Sequence, residues 1–340
     1  MKIISIAGVY GDLENLERLV DYSRQRNADA VTISGNLLGN FLDGKEIEQF
    51  GNLNQAIGRI GKEIYVQSQG RVNLDSAKAV VELLNTSQKG YDEAKGLLAK
   101  AKYLRSPNCL PRQWREIGSA YSDFSEKART NAAIQYFHMK QLLDKSGAKI
   151  FVVPGNSDLT SLEGVFREEN LHPKGNVNGQ EGESKDVRGL YFTGYGGSPV
   201  QQLPPEWGLF SFNEDRAAAH LSSSPVTEIA LTYMPPRYIN GKGSWGIEDY
   251  LFRRAPAMIL AGGQIDVPYL HREERFGTSS IIANPGHLGR NGKSDAGQFL
   301  EVDIVENNGS FYVDTLTQGK FGENGTVQLN VIPAGALKNN

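Results

Sequence analysis

Three carboxylates stand where chemistry would be sought. Asp12, Asp158 and Asp266 each close a glycine-led turn: Gly8-Val9-Tyr10-Gly11-Asp12, Gly155-Asn156-Ser157-Asp158 and Gly263-Gln264-Ile265-Asp266. A fourth turn, Gly35-Asn36, carries an amide instead. Mg²⁺ accepts carboxylates and water, so Asp12, Asp158 and Asp266, with Asn156 beside them, form a residual ligand-binding set for a single divalent ion such as Mg²⁺ or Mn²⁺. Asp12 and Asp158 also each stand just ahead of a helical segment, where an aspartate caps the free N–H groups. The turns present backbone N–H groups able to cradle a phosphate or nucleotide. Tyr10 and Tyr233 would then stack on a base, or simply fill space. Nucleophilic chemistry finds less support: the single cysteine, Cys109, lies in a helical interval, and no Gly-x-Ser-x-Gly elbow accompanies the serines. One cysteine also rules out an internal disulfide and a Cys-based zinc site.

These turns follow short apolar runs. Strands are expected over residues 3–7, 30–34, 149–153, 190–193, 229–233, 258–261, 280–283, 298–305 and 311–314, with a helix between the first two whose apolar face is Leu13, Leu16, Leu19, Val20 and Ser23. Strands alternating with helices predict a layered α/β core, with strand-after-strand character toward the C-terminus. Open sheets of this kind place ligands at the ends of their strands, where the glycine turns lie. Between the second and third strands the pattern changes. Ile47, Phe50, Leu53, Ile57, Ile60 and Ile64 repeat at helical steps, as do Val80, Leu84, Tyr91, Ala94, Leu98 and Ala101. A third series from Trp114 to Leu143 predicts a helix of about thirty residues, long enough for an antiparallel bundle. The sequence thus divides into an α/β core (1–43 and 147–318), an all-α helical insertion (44–146) and a polar C-terminal tail (319–340), with 327–332 as a potential edge strand.

In order and setting, the turns resemble the loops of the calcineurin-like metallophosphoesterases, which read D-x-H-G-N, G-D, G-N-H-[DE] and G-H-x-H. Gly8 stands at the position of the first ligand aspartate, Tyr10 at a histidine, and Asn36 at the bridging aspartate. Asn156 keeps the family residue, while Ser157 replaces the histidine that assists the leaving group. Thr232-Tyr233-Met234-Pro235-Pro236 resembles T-H-x-P-P, which puts Tyr233 at a ligand histidine. Gln264 and Asp266 stand at two more. Tyr195-Gly196-Gly197-Ser198-Pro199 and Asn284-Pro285-Gly286-His287-Leu288 are similar to family loops outside the metal shell. The resemblance implies a layered β-sandwich flanked by helices. It also implies that these eight positions no longer form a metal cage, because an asparagine cannot bridge two cations as a carboxylate does, and imidazole is missing. None of His138, His172, His220, His271 and His287 falls at a ligand position. No metal and no cofactor is expected, nor any catalytic residue. The reading implied is a catalytically silent relative acting as a binding or scaffold module, as in the DNA polymerase small subunits and the retromer coat. The alternative is a metal-dependent phosphodiesterase or phosphatase with a reshaped site.

The insertion supplies the expected contact surface. Residues 44–140 carry 15 Lys and Arg against 10 Asp and Glu, although the chain as a whole has a net charge of -3. Lys95, Lys100, Lys102, Arg105, Arg112 and Arg115 follow one another with no acidic residue from Ala94 to Arg115, and Trp114 sits among them. Such a run reads as a solvated bundle tip or as a surface for a protein partner or assembly, with nucleic acid as a further ligand of the segment 95–115. No stretch approaches the roughly twenty apolar residues that cross a bilayer. Residues 3–7 are too short for a signal-peptide core. The expectation is a cytoplasmic protein with no membrane partner.

Overall fold

The computed structural model describes residues 1–39, 42, 44–67, 74, 76–89, 112–173, 185–199, 207, 209–210, 212–223, 228–239, 241, 243–263, 268–275, 278–289, 296–322 and 326–337. The chain divides into two compact units, Met1–Asn40 with Ala132–Asn340, and Phe41–Asn131.

The first unit holds two six-stranded mixed sheets. In the first, β1 (Lys2–Ile6), β2 (Ala30–Ile33) and β3 (Lys149–Val152) run parallel and almost fully buried, as their unbroken apolar character requires. β1 also pairs antiparallel with β10 (Gln298–Asn307), which continues through β11 (Ser310–Phe321) to the edge strand β12 (Val327–Pro333). The β10–β11 turn is Asn308-Gly309, both residues at positive φ, the backbone a two-residue hairpin needs. The second sheet runs β4 (Lys185–Val187), β5 (Leu190–Tyr195), β6 (Ile229–Thr232), β7 (Met258–Ala261), β9 (Thr278–Asn284) and β8 (Tyr269–Arg275) in that spatial order, with β5, β6, β7 and β9 parallel.

Alternate strand residues decide the layers. Ile3, Ala30, Phe151, Leu300 and Val302 of the first sheet share one core with Phe192, Ile229, Leu231, Met258 and Leu260 of the second, so the sheets pack face to face. On the outer face of the second sheet, Ala230, Ile259 and Ile282 are covered by α6 (Glu214–Ser223) and α7 (Trp245–Arg254). Helix α1 (Leu13–Gln25) buries Leu16, Leu19, Val20, Tyr22 and Ser23, and the Tyr22 ring packs at a tilt against Phe299 of β10 and edge-on against Phe321 of β11.

The second unit is helical where described. Ile57, Ile60 and Ile64 of α2 (Gly44–Gln67) meet Val80, Val81, Leu83 and Leu84 of α3 (Ala77–Lys89) and Tyr121 of α4 (Arg112–Asp144) in its own core. The unit boundary falls at residue 131 and not at 146, because Ala132, Tyr136, Met139 and Leu143 are fully buried as part of the first unit. From 319 the segment read as a polar tail is the end of β11, then β12, which covers the edge strand expected over 327–332, then a 3-10 turn, Ala334–Ala336. Its polar residues alternate along a strand, which is why composition alone concealed the pairing. Two charged or very short strands, β8 and β4, also lay outside the apolar runs. No described helix is long and apolar enough to cross a membrane.

Candidate functional site

The glycine turns after β1, β2 and β3 converge with the Tyr233-Met234-Pro235-Pro236 turn after β6 at the carboxyl ends of both sheets. At their centre lies Asn36, held at φ 38°, a backbone region an L-residue seldom adopts. Its Nδ2 donates to the Tyr10 hydroxyl at 2.9 Å and to the Tyr233 hydroxyl at 3.3 Å. Its Oδ1 accepts from the Ser157 backbone N–H at 3.2 Å and from Ser157 Oγ at 3.0 Å. Both ends of the amide are therefore engaged, which suits a polar side chain only 3 % exposed.

Three features of the turns make room for this network. Gly35 sits at φ 126°, and a Cβ there would fall 2.3 Å from the Tyr233 ring. At Gly155 a Cβ would collide with the Asn36 amide at 2.1 Å. The bare α-carbon of Gly8 faces the Tyr10 ring, where a Cβ would approach Cε2 to 2.7 Å. Tyr10 itself is at φ 50°, and its ring meets His287 edge-on at 5.2 Å between centroids. His287 is buried through a bridge between its own turn and Gly8. Burial, and next the neighbouring Tyr10, raise the Tyr233 phenol above its usual range, so it stays protonated near neutrality.

Asp158 forms a second layer beneath the network. Its carboxylate is fully buried and accepts from Leu37 N–H at 2.9 Å, Leu38 N–H at 3.1 Å, Gly155 N–H at 2.7 Å and the Tyr136 hydroxyl at 3.1 Å. Tyr136 in turn accepts from Leu159 N–H at 2.8 Å. Burial raises the carboxyl pKa, and these donors oppose the shift. Asp158 thus ties the residues that follow Asn36 to the residue preceding Asn156 and Ser157. This corrects the helix-cap expectation for Asp158: the next helix, α5 (Leu162–Val165), begins behind Ser161. Sequence patterns missed Tyr136, because a tyrosine in the apolar register of a helix does not reveal where its hydroxyl points.

Asp12 caps α1, accepting from Asn15 N–H at 3.0 Å and Asn15 Nδ2 at 2.9 Å. Asp158 is committed to four donors in a fully buried setting, while Asp12 is engaged as the cap of its helix. Gln264 and Asp266 lie outside the described residues, as do Lys95, Lys100, Lys102 and Arg105. Arg112 is exposed and paired with Glu116 at 2.8 Å. Trp114, grouped with the contact residues, packs against the core of the second unit, because its ring lies on the apolar side of α4.

Beside this layer, the Gly196 N–H donates to Nδ1 of His172 at 3.0 Å. That role requires a neutral ring, and burial lowers the His172 pKa to about 3.

Fold and site together define a mixed α/β protein with a fully hydrogen-bonded asparagine amide at the carboxyl ends of two packed sheets. Neither a family model nor a curated protein matches the chain. A solved crystal structure matches 97% of this chain and 98% of its own at 14% sequence identity and a TM-score of 0.50. A second, the crystal structure of TT1561 of Thermus thermophilus, matches 97% of each chain at 14% identity and a TM-score of 0.44. The first likeness bears on the fold alone.

Proposed function

We propose that this chain is a binding or scaffold protein on a metallophosphoesterase-like sandwich, with the helical unit Phe41–Asn131 as its main recognition element and no two-metal hydrolysis at the old centre. The observation that carries the reading is the saturated Asn36 amide. Two-metal phosphoester cleavage needs an anionic bridge and ligands able to hold both cations. Here the bridging position is neutral, its oxygen is taken by Ser157, and its nitrogen faces two phenols. Among the described residues, the donor set does not fit a pair of divalent ions.

Elemental analysis of purified protein, with hydrolysis of a generic phosphodiester in Mn²⁺, tests the reading. The expected result is no stoichiometric metal and no turnover above the blank. Tightly held metal with turnover abolished in Asp266→Ala would establish the enzyme instead. For the contact role, Lys95, Lys100, Lys102 and Arg105 are reversed to Glu in the full chain and compared with wild type in a pull-down. Loss of wild-type partners is expected, and an unchanged set counts against the assignment.

A further inference from the structure

A sheet edge is a row of unpaired backbone groups, and proteins usually blunt it with charge. Among the described strands, β3, β12, β4 and β8 form the four edges. Three follow the rule: β3 opens on exposed Lys149, β4 carries Lys185 and Asp186, and β8 carries Arg272, Glu273, Glu274 and Arg275. β12 does not. Its seven residues, Val-Gln-Leu-Asn-Val-Ile-Pro, bear no charge, and at about 3.4 Å per residue they offer an edge of roughly 24 Å.

Its side chains depart from the usual alternation too. Val327, Leu329 and Val331 stand opposite Phe321, Gly319 and Thr317 of β11, on the face that α1 covers over Phe321. They lie beyond that cover, 37 %, 48 % and 61 % exposed. The polar Gln328 and Asn330 occupy the other face.

We propose that β12 pairs antiparallel with β12 of a second copy of this chain, about a two-fold axis through Leu329. In that register Leu329 meets its own counterpart, and Val327 and Val331 meet each other, giving three apolar cross-strand pairs on one face. On the opposite face Gln328 meets Asn330. On the exposed face apolar thus opposes apolar; on the other, amide opposes amide and Ile332, packed against the core, falls opposite Thr326, and no like charges are brought together. That self-complementarity selects a second copy as the occupant, because an isologous contact must match itself. The contact is narrow, below the roughly 1,200 Å² of a standard stable interface, so the dimer is weak and concentration-dependent.

Sedimentation velocity of the full chain over rising concentration should show monomer passing into dimer. Leu329→Lys should remain monomeric throughout, with unchanged circular dichroism and melting temperature. In a Cys109→Ser background, Leu329→Cys should be joined to a dimer by a short bis-maleimide, while Tyr312→Cys, exposed on β11 away from the edge, should not. A wild type that is monomeric at every concentration, a dimer that survives Leu329→Lys, or the absence of a link through position 329 overturns the proposal.

Discussion

At the scale of residues, the site is held by two filled side chains: both ends of the Asn36 amide are hydrogen-bonded, and Asp158 takes four donors. Removing an acceptor from such a layer strands buried N–H groups, each worth about 1–3 kcal/mol. Asp158→Asn replaces one carboxylate oxygen with an NH₂ group facing Gly155 N–H or Leu37 N–H. Its expected cost is about 2–4 kcal/mol in urea denaturation. Tyr136→Phe should cost about 1–3 kcal/mol, and the double mutant less than the sum, since the two share one contact. Loop order in the sequence pointed to Tyr10, Asn36, Ser157 and Tyr233 as neighbours, and the structure hydrogen-bonds all four around one amide. The role of Asp158 was not legible. Its donors lie 121 and 120 residues away at Leu37 and Leu38 and 22 away at Tyr136, and no local pattern encodes such a meeting.

At the scale of elements, Glu301 joins three pieces of the first unit. From β10 it accepts from the Tyr22 hydroxyl at 2.7 Å and Arg26 Nη2 at 2.7 Å, next to α1, and from Lys2 of β1. Burial pushes its pKa up, but hydrogen bonds from Arg26, Lys2 and Tyr22 win and hold it at about 2. The folded carboxyl therefore binds its proton less readily than the unfolded one, near 4.5. This contribution to stability is present above pH 4.5 and is lost as pH falls toward 2. Melting temperature measured across that window should drop less steeply in Glu301→Gln than in wild type, from a lower plateau at neutral pH. The strands themselves were readable where apolar residues run unbroken, as in Ile3–Ile4 and Met258–Ala261. β8 was not, because Tyr-Leu-His-Arg-Glu-Glu-Arg carries the charges of a solvent-facing edge and reads as a loop.

At the scale of the whole molecule, the two units differ in what stabilises them. The first has two sheets around a shared core and helices on its outer faces, while the described core of the second is one smaller cluster shared by α2, α3 and α4. Local stability follows buried apolar contact. In hydrogen exchange under rising denaturant, amides of Ile60 and Leu84 should lose protection before those of Ile4 and Val302. Simultaneous loss would show one cooperative body instead. Periodicity announced the helical segment, but not that the last third of α4 would belong to the first unit. The same helical spacing continues through residue 131, so the pattern carries no mark at the division.

The bare carbon at Gly8 sets an itinerary for sequence change. With the phenol ring of Tyr10 2.7 Å from any added Cβ, an acid at position 8 requires the ring at position 10 to move or shrink. Shrinking position 10 removes one of the two acceptors on the Asn36 amide nitrogen. Substitutions toward a charged centre are therefore contingent on one another, and their order is dictated by volume before chemistry enters.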